Sequence, residues 1–262
     1  MPDRKEALVR VEKVRRGITV ISLNRPDRRN ALSSSLIHEL CRTITELEAD
    51  QFQRVVVLKG EGTAFCAGLD LQEAADPSSV ERMARGVERL LRTIRGSTLV
   101  SIAAVHGTAA AGGAGLVSAC DFAVAADDAR IGYPEVHRGL VPALVMTFLV
   151  RQVGDRRARE MVLLGEMIDA SQALAMGLVN RVVPRTEYLE SAILLAERVL
   201  RGAPGAVVHT KRALEELSGI NLEEELSRAH KYHLAARSSA EAREGLAAFL
   251  EKRPPQWDQK RG

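Results

Sequence analysis

Aromatic residues make up only 3% of this 262-residue chain: five Phe, three Tyr and one Trp. Its core must therefore be aliphatic and alanine-rich, and few rings are left on which nucleic-acid bases could stack. Cysteine is equally sparse. Cys41, Cys66 and Cys120 include no CxxC pair, which argues against a disulfide framework and for a reduced, cytoplasmic setting. No charge of one sign dominates. The 37 Lys and Arg against 34 Asp and Glu leave a net +3, and the two signs are interspersed, so no nucleic-acid stripe is indicated. A local basic pocket for a phosphorylated ligand stays compatible with that balance. The longest apolar run, residues 140–150, is too short to cross a bilayer. Residues 1–6 are charged and lack the apolar core of a signal peptide.

What is present is ordinary for a soluble globular protein: 46% apolar and 27% charged residues. The length fits one large domain, or one domain with a small appendage. Valines at 9, 11 and 14, and then residues 18–23, read as two strands around Arg15-Arg16-Gly17. Residues 33–48 read as a helix with Leu36, Leu40, Ile44 and Leu47 on one face. Val55-Val56-Val57-Leu58 and Ile102-Ala103-Ala104-Val105 are short continuous apolar runs, as in strands buried on both faces.

Further strands are expected at 121–126, 130–133 and 178–183. Helices are expected at 76–94, 112–120, 155–164, 169–176, 187–200, 204–217 and 221–237, with a last one starting at Ser238. Capping boxes, Asn221 with Glu224 and Ser238 with Glu241, mark the last two starts. Alternating strands and helices make the fold class α/β. The helical stretch from about residue 200 suggests a core over 1–200 and a C-terminal helical region over 201–262. Its apolar residues Leu222, Leu226, Leu246, Phe249 and Leu250 need cover, from the chain's own core or from another subunit. The polar tail from 253 onward is expected to fray.

Two glycine turns follow the buried apolar runs. Phe65-Cys66-Ala67-Gly68-Leu69-Asp70 comes after the first, and Ala111-Gly112-Gly113-Ala114-Gly115 after the second. Either could be a packing turn. Either could also aim backbone N–H groups at a ligand, with Gly112 at a helix N-terminus facing a developing anion. The second turn lacks the dinucleotide and P-loop glycine patterns. Glu135, in Gly132-Tyr133-Pro134-Glu135, is either a first-turn helix residue or a general acid/base. Burial would raise its pKa and a helix start would lower it. Cys66 reads as a buried thiol rather than a nucleophile. His230 and His233, at helical i,i+3 spacing without a third ligand, read as a surface pair and not a metal site.

Taken in order, these residues resemble the enoyl-CoA hydratase/isomerase family, the crotonase superfamily, along nearly the whole chain. The matching pieces include Leu23-Asn24-Arg25-Pro26, Arg29-Asn30-Ala31-Leu32, both glycine turns, Tyr133-Pro134-Glu135, Gly139-Leu140-Val141-Pro142 and Gly177-Leu178-Val179-Asn180. The tail from Glu244-Gly245 to Lys252-Arg253 matches too. The resemblance implies a ββα spiral core with a C-terminal helical trimerisation region, and a homo-trimer or a hexamer built as a dimer of trimers. It implies an acyl-CoA thioester substrate, with no cofactor beyond the coenzyme A that the substrate carries, and no metal.

By the same resemblance, the N–H groups of Leu69 and Gly112 form an oxyanion hole and Glu135 is the acid/base. Ala67, Gly68, Asp70 and Leu71 hold the adenine. Arg28 or Arg29 lies near the phosphates, with Ala31 and Gly113 in the same binding set. Phe249 and Lys252 reach coenzyme A from a neighbouring subunit.

One departure stands out. Two-glutamate hydratases carry a first Glu where this chain has Gly115. A bacterial branch similar to methylglutaconyl-CoA hydratase combines a small residue there with a run like Glu135-Val136-His137-Arg138-Gly139-Leu140-Val141-Pro142-Ala143. The expected activity is thus hydration of a 2-enoyl-CoA, branched or glutaconyl-type. A Δ3,Δ2-enoyl-CoA isomerase needs only one Glu, and a silent acyl-CoA binder needs none, so both alternatives stay open. Gly115, Tyr133, His137 and Arg138 are the expected acyl-pocket residues, with Tyr133 and His137 as sources of a second acid/base group. RNA binding, known for one methylglutaconyl-CoA hydratase relative, is opposed by the low charge and the few aromatics.

Overall fold

A computed structural model describes residues 7–217 and 221–257. The charged N-terminal residues 1–6 and the end of the tail, 258–262, lie outside the described residues. The elements run β1 (Val9–Arg15), β2 (Ile18–Leu23), α1 (Ser34–Glu48), β3 (Val55–Gly60), α2 (Leu71–Ala74), α3 (Val80–Gly96), β4 (Val100–Val105) and β5 (Thr108–Ala110). Then come α4 (Gly112–Ala119), β6 (Phe122–Ala126), β7 (Arg130–Gly132), α5 (Leu149–Leu164), β8 (Met167–Asp169) and α6 (Ala170–Met176). The chain continues with β9 (Arg181–Val183), α7 (Tyr188–Leu200), α8 (Pro204–Leu217), α9 (Leu222–Arg237) and α10 (Ala240–Leu250).

The large sheet has the order β1-β2-β3-β4-β6-β9. Only β1 and β2 pair antiparallel; every other neighbouring pair is parallel. Strand alternation explains the continuous apolar runs. Val55 and Val57 join Ile18, Val20, Val100 and Ile102 under α7, through Ala192, Ile193 and Ala196. Val56 and Leu58 face the other way, with Ile21, Leu23, Ala103 and Val105, into the core shared with α1 and α3. A second sheet, β5-β7-β8, is built from three-residue strands.

Several boundaries differ from the sequence expectation. α5 reaches back to Leu149 across a break at Gly154, whose φ is +76°. The strand expected at 178–183 shrinks to β9, because the Leu178 N–H still donates to the Ala173 carbonyl in the cap of α6. β5 and β8 escape a periodicity reading because three residues are too few to show a period of two. The cap of α10 is Ser239, which accepts from the Ala242 N–H; Ser238 still closes α9. Asn221 does cap α9, but Glu224 answers to the Asn221 side-chain amide, at 3.1 Å.

The C-terminal helices partly cover themselves on the chain's own body. Leu226 is fully buried and Leu246 nearly so, whereas Phe249 and Leu250 stay half exposed. α8 buries none of its residues. Among the described residues no helix is long and apolar enough to cross a membrane.

Candidate active site

The two glycine turns meet. The segment after β3 lies along β5, with the Cys66 N–H on the Thr108 carbonyl (3.0 Å) and the Ala110 N–H on the Cys66 carbonyl (3.0 Å). On its other side, Leu32 donates to the Gly68 carbonyl (2.7 Å) and accepts from the Asp70 N–H (3.0 Å). Asn30 is fully buried and holds this corner: its amide donates to the carbonyls of Glu61 and Ala64, and its oxygen accepts from the Arg25 N–H. Gly68 turns at φ +98°, and a Cβ there would lie 2.9 Å from the Ala111 Cβ. A Cβ on Gly113 would lie 2.1 Å from the Cys66 carbonyl oxygen. Only glycine allows the start of α4 to come so close.

Ala111 itself sits at φ +51°, ψ −117°, fastened by its N–H to the Gly132 carbonyl (2.9 Å). A non-glycine residue in such a region costs about 1–3 kcal/mol, and the strain is stored at the point where α4 begins. The N–H groups of Leu69 and Gly112 come side by side here, and no acceptor among the described residues takes either one. Both border a cavity of ≈ 530 Å³. The N-terminal end of α4 adds its dipole to the same spot.

Glu135 comes from a one-turn 3-10 segment, Pro134–Arg138, entered from β7. It lines the cavity, is 9% exposed, and its Oε2 has no hydrogen-bond partner among the described residues. Burial pushes its carboxyl up to about 7, against the pull of its own backbone N–H and the nearby Arg138. Desolvation thus wins the contest that the sequence left open. Glu135 is the one carboxylate in the lining, against four arginines: Arg29, Arg130, Arg138 and Arg237.

Of the residues expected at the site, Leu69, Gly112, Glu135, Arg29, Ala67, Leu71, Arg138 and Phe249 line this cavity. Phe249 does so within its own chain, with the Arg138 guanidinium 4.6 Å above its ring. Others stand apart. Arg28 is exposed and bonded to Gln72 (3.1 Å). Asp70 caps α2 and pairs with Arg25 (2.9 Å), which also holds the Ala31 carbonyl. Gly68 and Gly113 shape the turns without facing the cavity, and Lys252 lies outside the lining.

Three expectations for the acyl pocket are corrected. Tyr133 is fully buried with its hydroxyl on Ser118 (3.1 Å), and burial raises its pKa, so it offers no second proton relay. His137 is exposed and bonded to the Leu164 carbonyl at the end of α5 (2.6 Å). Gly115 does not reach the cavity, because Val145 fills the space beside it: a Cβ on Gly115 would lie 2.7 Å from the Val145 Cβ. Cys66 is the buried thiol expected of it, pushed up to about 12 by desolvation.

Sequence reasoning missed Thr108, Arg130, Val145, His233 and Arg237, all of which line the cavity. The pair His230 and His233 is not a surface pair. His230 meets Glu88 (2.8 Å) and Glu81 (3.4 Å) on α3, and His233 is lowered to about 4 by burial and by Arg237 and His230. Nothing in the spacing of α9 announces that it roofs the glycine turns. Among the described residues no cluster of His, Cys, Asp and Glu is arranged to hold a metal ion.

A cavity between two backbone N–H donors and a buried carboxylate now stands beside a direct family match. The family model for enoyl-CoA hydratase/isomerase covers residues 13–260. The chain belongs to the enoyl-CoA hydratase/isomerase family. It is 41% identical over 255 residues to a putative enoyl-CoA hydratase of Thermus thermophilus, covering 95% of this chain and all of that one. It is 34% identical to the 2,3-dehydroadipyl-CoA hydratase of Escherichia coli, over 91% of this chain and 94% of the relative. Among solved structures, a putative enoyl-CoA hydratase from Mycobacterium avium paratuberculosis superposes with a TM-score of 0.86 at 34% identity, over 96% and 99% of the two chains. The fold is therefore the crotonase fold, an α/β core with a C-terminal helical region.

Within that family frame, the buried Glu135 has a consequence for stability. Its folded-state pKa of about 7 lies above the ordinary 4.5. Below 4.5 the carboxyl is neutral in folded and unfolded chains alike, and it costs nothing. Between 4.5 and 7 the unfolded chain ionises while the folded one stays protonated, so stability falls by about 3 kcal/mol across that window and levels once pH passes 7. Glu135→Gln is expected to raise the melting temperature by several degrees at pH 8 and to leave it nearly unchanged at pH 4, measured by calorimetry.

Proposed function

We propose that the protein adds water across the double bond of a 2-enoyl-CoA thioester. The N–H groups of Leu69 and Gly112 serve as the oxyanion hole and Glu135 as the single acid/base. The observation that carries this reading is the pair of unengaged N–H donors facing a cavity whose one carboxylate is buried and poised near neutrality. The thioester oxygen accepts both N–H bonds. Ionised Glu135 takes a proton from water as its oxygen attacks C3, and the C2–C3 π electrons move onto the thioester oxygen as an enolate. The enolate then collapses and C2 takes the proton back from Glu135. One carboxyl group serves both halves, and the balance is one water added. Each N–H donor is worth roughly 3–4 kcal/mol to such a transition state.

Arg29, beside the Ala67 turn, and Arg130 at the start of β7 favour placing the phosphates of coenzyme A at that end. The arginines near Glu135, and the similarity to a 2,3-dehydroadipyl-CoA hydratase, favour an acyl group of glutaconyl type that carries its own carboxylate. Residues 201–262 serve as the oligomerisation region of a homo-trimer or hexamer. Support comes from α8, which exposes Leu214 and Leu217 at 64% and 84%.

A second reading is isomerisation of a 3-enoyl-CoA, favoured by the lone carboxylate in the lining, since moving one proton between C2 and C4 needs no water. Purified protein given crotonyl-CoA, 3-methylglutaconyl-CoA and a 3-enoyl-CoA separates the two. Loss of the conjugated enoyl absorbance with formation of a 3-hydroxyacyl-CoA is expected. Turnover of the 3-enoyl substrate alone would contradict hydration.

A further inference from the structure

The cavity has two chemically different ends. β5 and β7 run parallel, with Thr108 paired to Arg130 at their starts. The Gly112 turn and Glu135 follow their far ends. Arg29 joins the starting end, because its carbonyl accepts from the Ala67 N–H (2.9 Å). Away from β5 and β7 the lining includes Leu71 of α2, Val87 of α3, Val141, and two residues of α9, His233 and Arg237. His230, His233 and Arg237 lie on one face of α9 at i, i+3 and i+7. His230 anchors that face to Glu81 and Glu88 of α3, and the next turns reach over the cavity.

On this side of the lining the residues are apolar apart from His233 and one charge, that of Arg237. Arg237 donates to the Ala74 carbonyl at the end of α2, and no carboxylate among the described residues lies within ion-pair distance of it. Three half-buried arginines elsewhere do have such partners, Arg25 with Asp70, Arg95 with Asp121 and Glu215, and Arg151 with Glu225; Arg54 and Arg138, like Arg237, are held by carbonyls, and of these only Arg138 and Arg237 line the cavity. Burial lowers the pKa of Arg237, which marks the cost of leaving it uncompensated. His233 does not supply the missing charge. It is held neutral, and its ring bonds the Val141 carbonyl, so its other nitrogen is an acceptor.

We propose that Arg237 binds a carboxylate at the far end of the acyl chain, and thereby selects enoyl-CoA substrates derived from dicarboxylic acids. The proposal rests on the cavity being the site of an enoyl-CoA thioester. A chain ending in a methyl group would bury an unpaired guanidinium, whereas a terminal carboxylate gives it a charge-assisted bond in an apolar setting. Arg138 is the nearer cation, bonded to the Pro134 carbonyl (3.2 Å) and stacked on Phe249, within electrostatic reach of Glu135. It is placed to act on the acid/base, and Arg237 on the chain terminus.

Binding of saturated ligands, which cannot turn over, tests this by calorimetry. Adipyl-CoA, its uncharged terminal amide and hexanoyl-CoA are compared on the full chain, on Arg237→Met and on Arg237→Lys. The unaltered protein is expected to bind adipyl-CoA roughly 10- to 100-fold tighter than the amide, the worth of one hydrogen bond to a charged group. In Arg237→Met that ratio falls to about one, and in Arg237→Lys it is partly kept. Equal binding of adipyl-CoA and its amide by the unaltered protein overturns the proposal, and needs no variant to fold. So does a ratio that survives Arg237→Met, or one that collapses in Arg138→Met instead. If crotonyl-CoA is hydrated while the ratio is one, only the Arg237 assignment fails. If no acyl-CoA binds, the enoyl-CoA reading fails with it.

Discussion

Glu135→Gln is expected to lower kcat for enoyl-CoA hydration by roughly 10²- to 10⁴-fold with little change in KM, the range for removing a general acid/base. The reason is the composition of the lining. Glu135 is its one carboxylate, Tyr133 is engaged by Ser118, and His137 is turned outward onto the Leu164 carbonyl. His233 also lines the cavity, but with its pKa lowered to about 4 by burial it is too weak a base to hold the proton that must be returned to C2. Because glutamine keeps the shape and loses only the ionisation, substrate binding should persist. The same variant is expected to be at least as stable as the parent at pH 8, so a loss of activity there cannot be ascribed to unfolding. Steady-state kinetics at pH 8, with melting curves on the same samples, make the check.

The second large effect is expected from one methyl group placed away from the substrate. Gly113→Ala puts a Cβ 2.1 Å from the Cys66 carbonyl oxygen. Neither partner can turn aside, since one is helix backbone and the other holds the Ala110 N–H. α4 must therefore retreat from the Ala67-Gly68 turn by about 1 Å, and the Gly112 N–H goes with it. A shift of that size in a positioning group costs on the order of 10²-fold in rate, close to losing one oxyanion donor outright. kcat for crotonyl-CoA is expected to fall by roughly that factor, with a lower melting temperature. A variant at full speed would mean that the Gly112 N–H is not part of the oxyanion site.

The sequence made the sheet legible because four-residue apolar runs such as Val55 to Leu58 have one economical place, between two layers. The glycine turns were legible for a similar reason: small residues after a buried strand mark close backbone approach, and Gly68 and Gly113 both prove to be positions that no side chain could occupy. Glu135 stood out as the carboxylate after Pro134, and its burial supplied the sign of the pKa shift. What stayed hidden was everything that depends on pairing distant segments. The sequence marked Leu226 of α9 as an apolar residue in need of cover, but not that the cover is the chain's own core, nor that His233 and Arg237 of the same helix line the cavity. The role of Val145 was hidden too. It follows Gly115 by thirty residues, and only the fold shows that it fills the place where a first carboxylate would stand.

The central claim is that one buried carboxyl group does both proton transfers. The pH dependence of kcat/KM for crotonyl-CoA hydration tests it most directly, since that quantity reports the ionisation of the free enzyme. With Glu135 raised to about 7 by burial, and required in its ionised form to accept a proton from water, kcat/KM should climb through a single inflection near pH 7 and stay level to about pH 9. A bell-shaped profile, with a second group that must remain protonated, or a profile flat through pH 7, would contradict it.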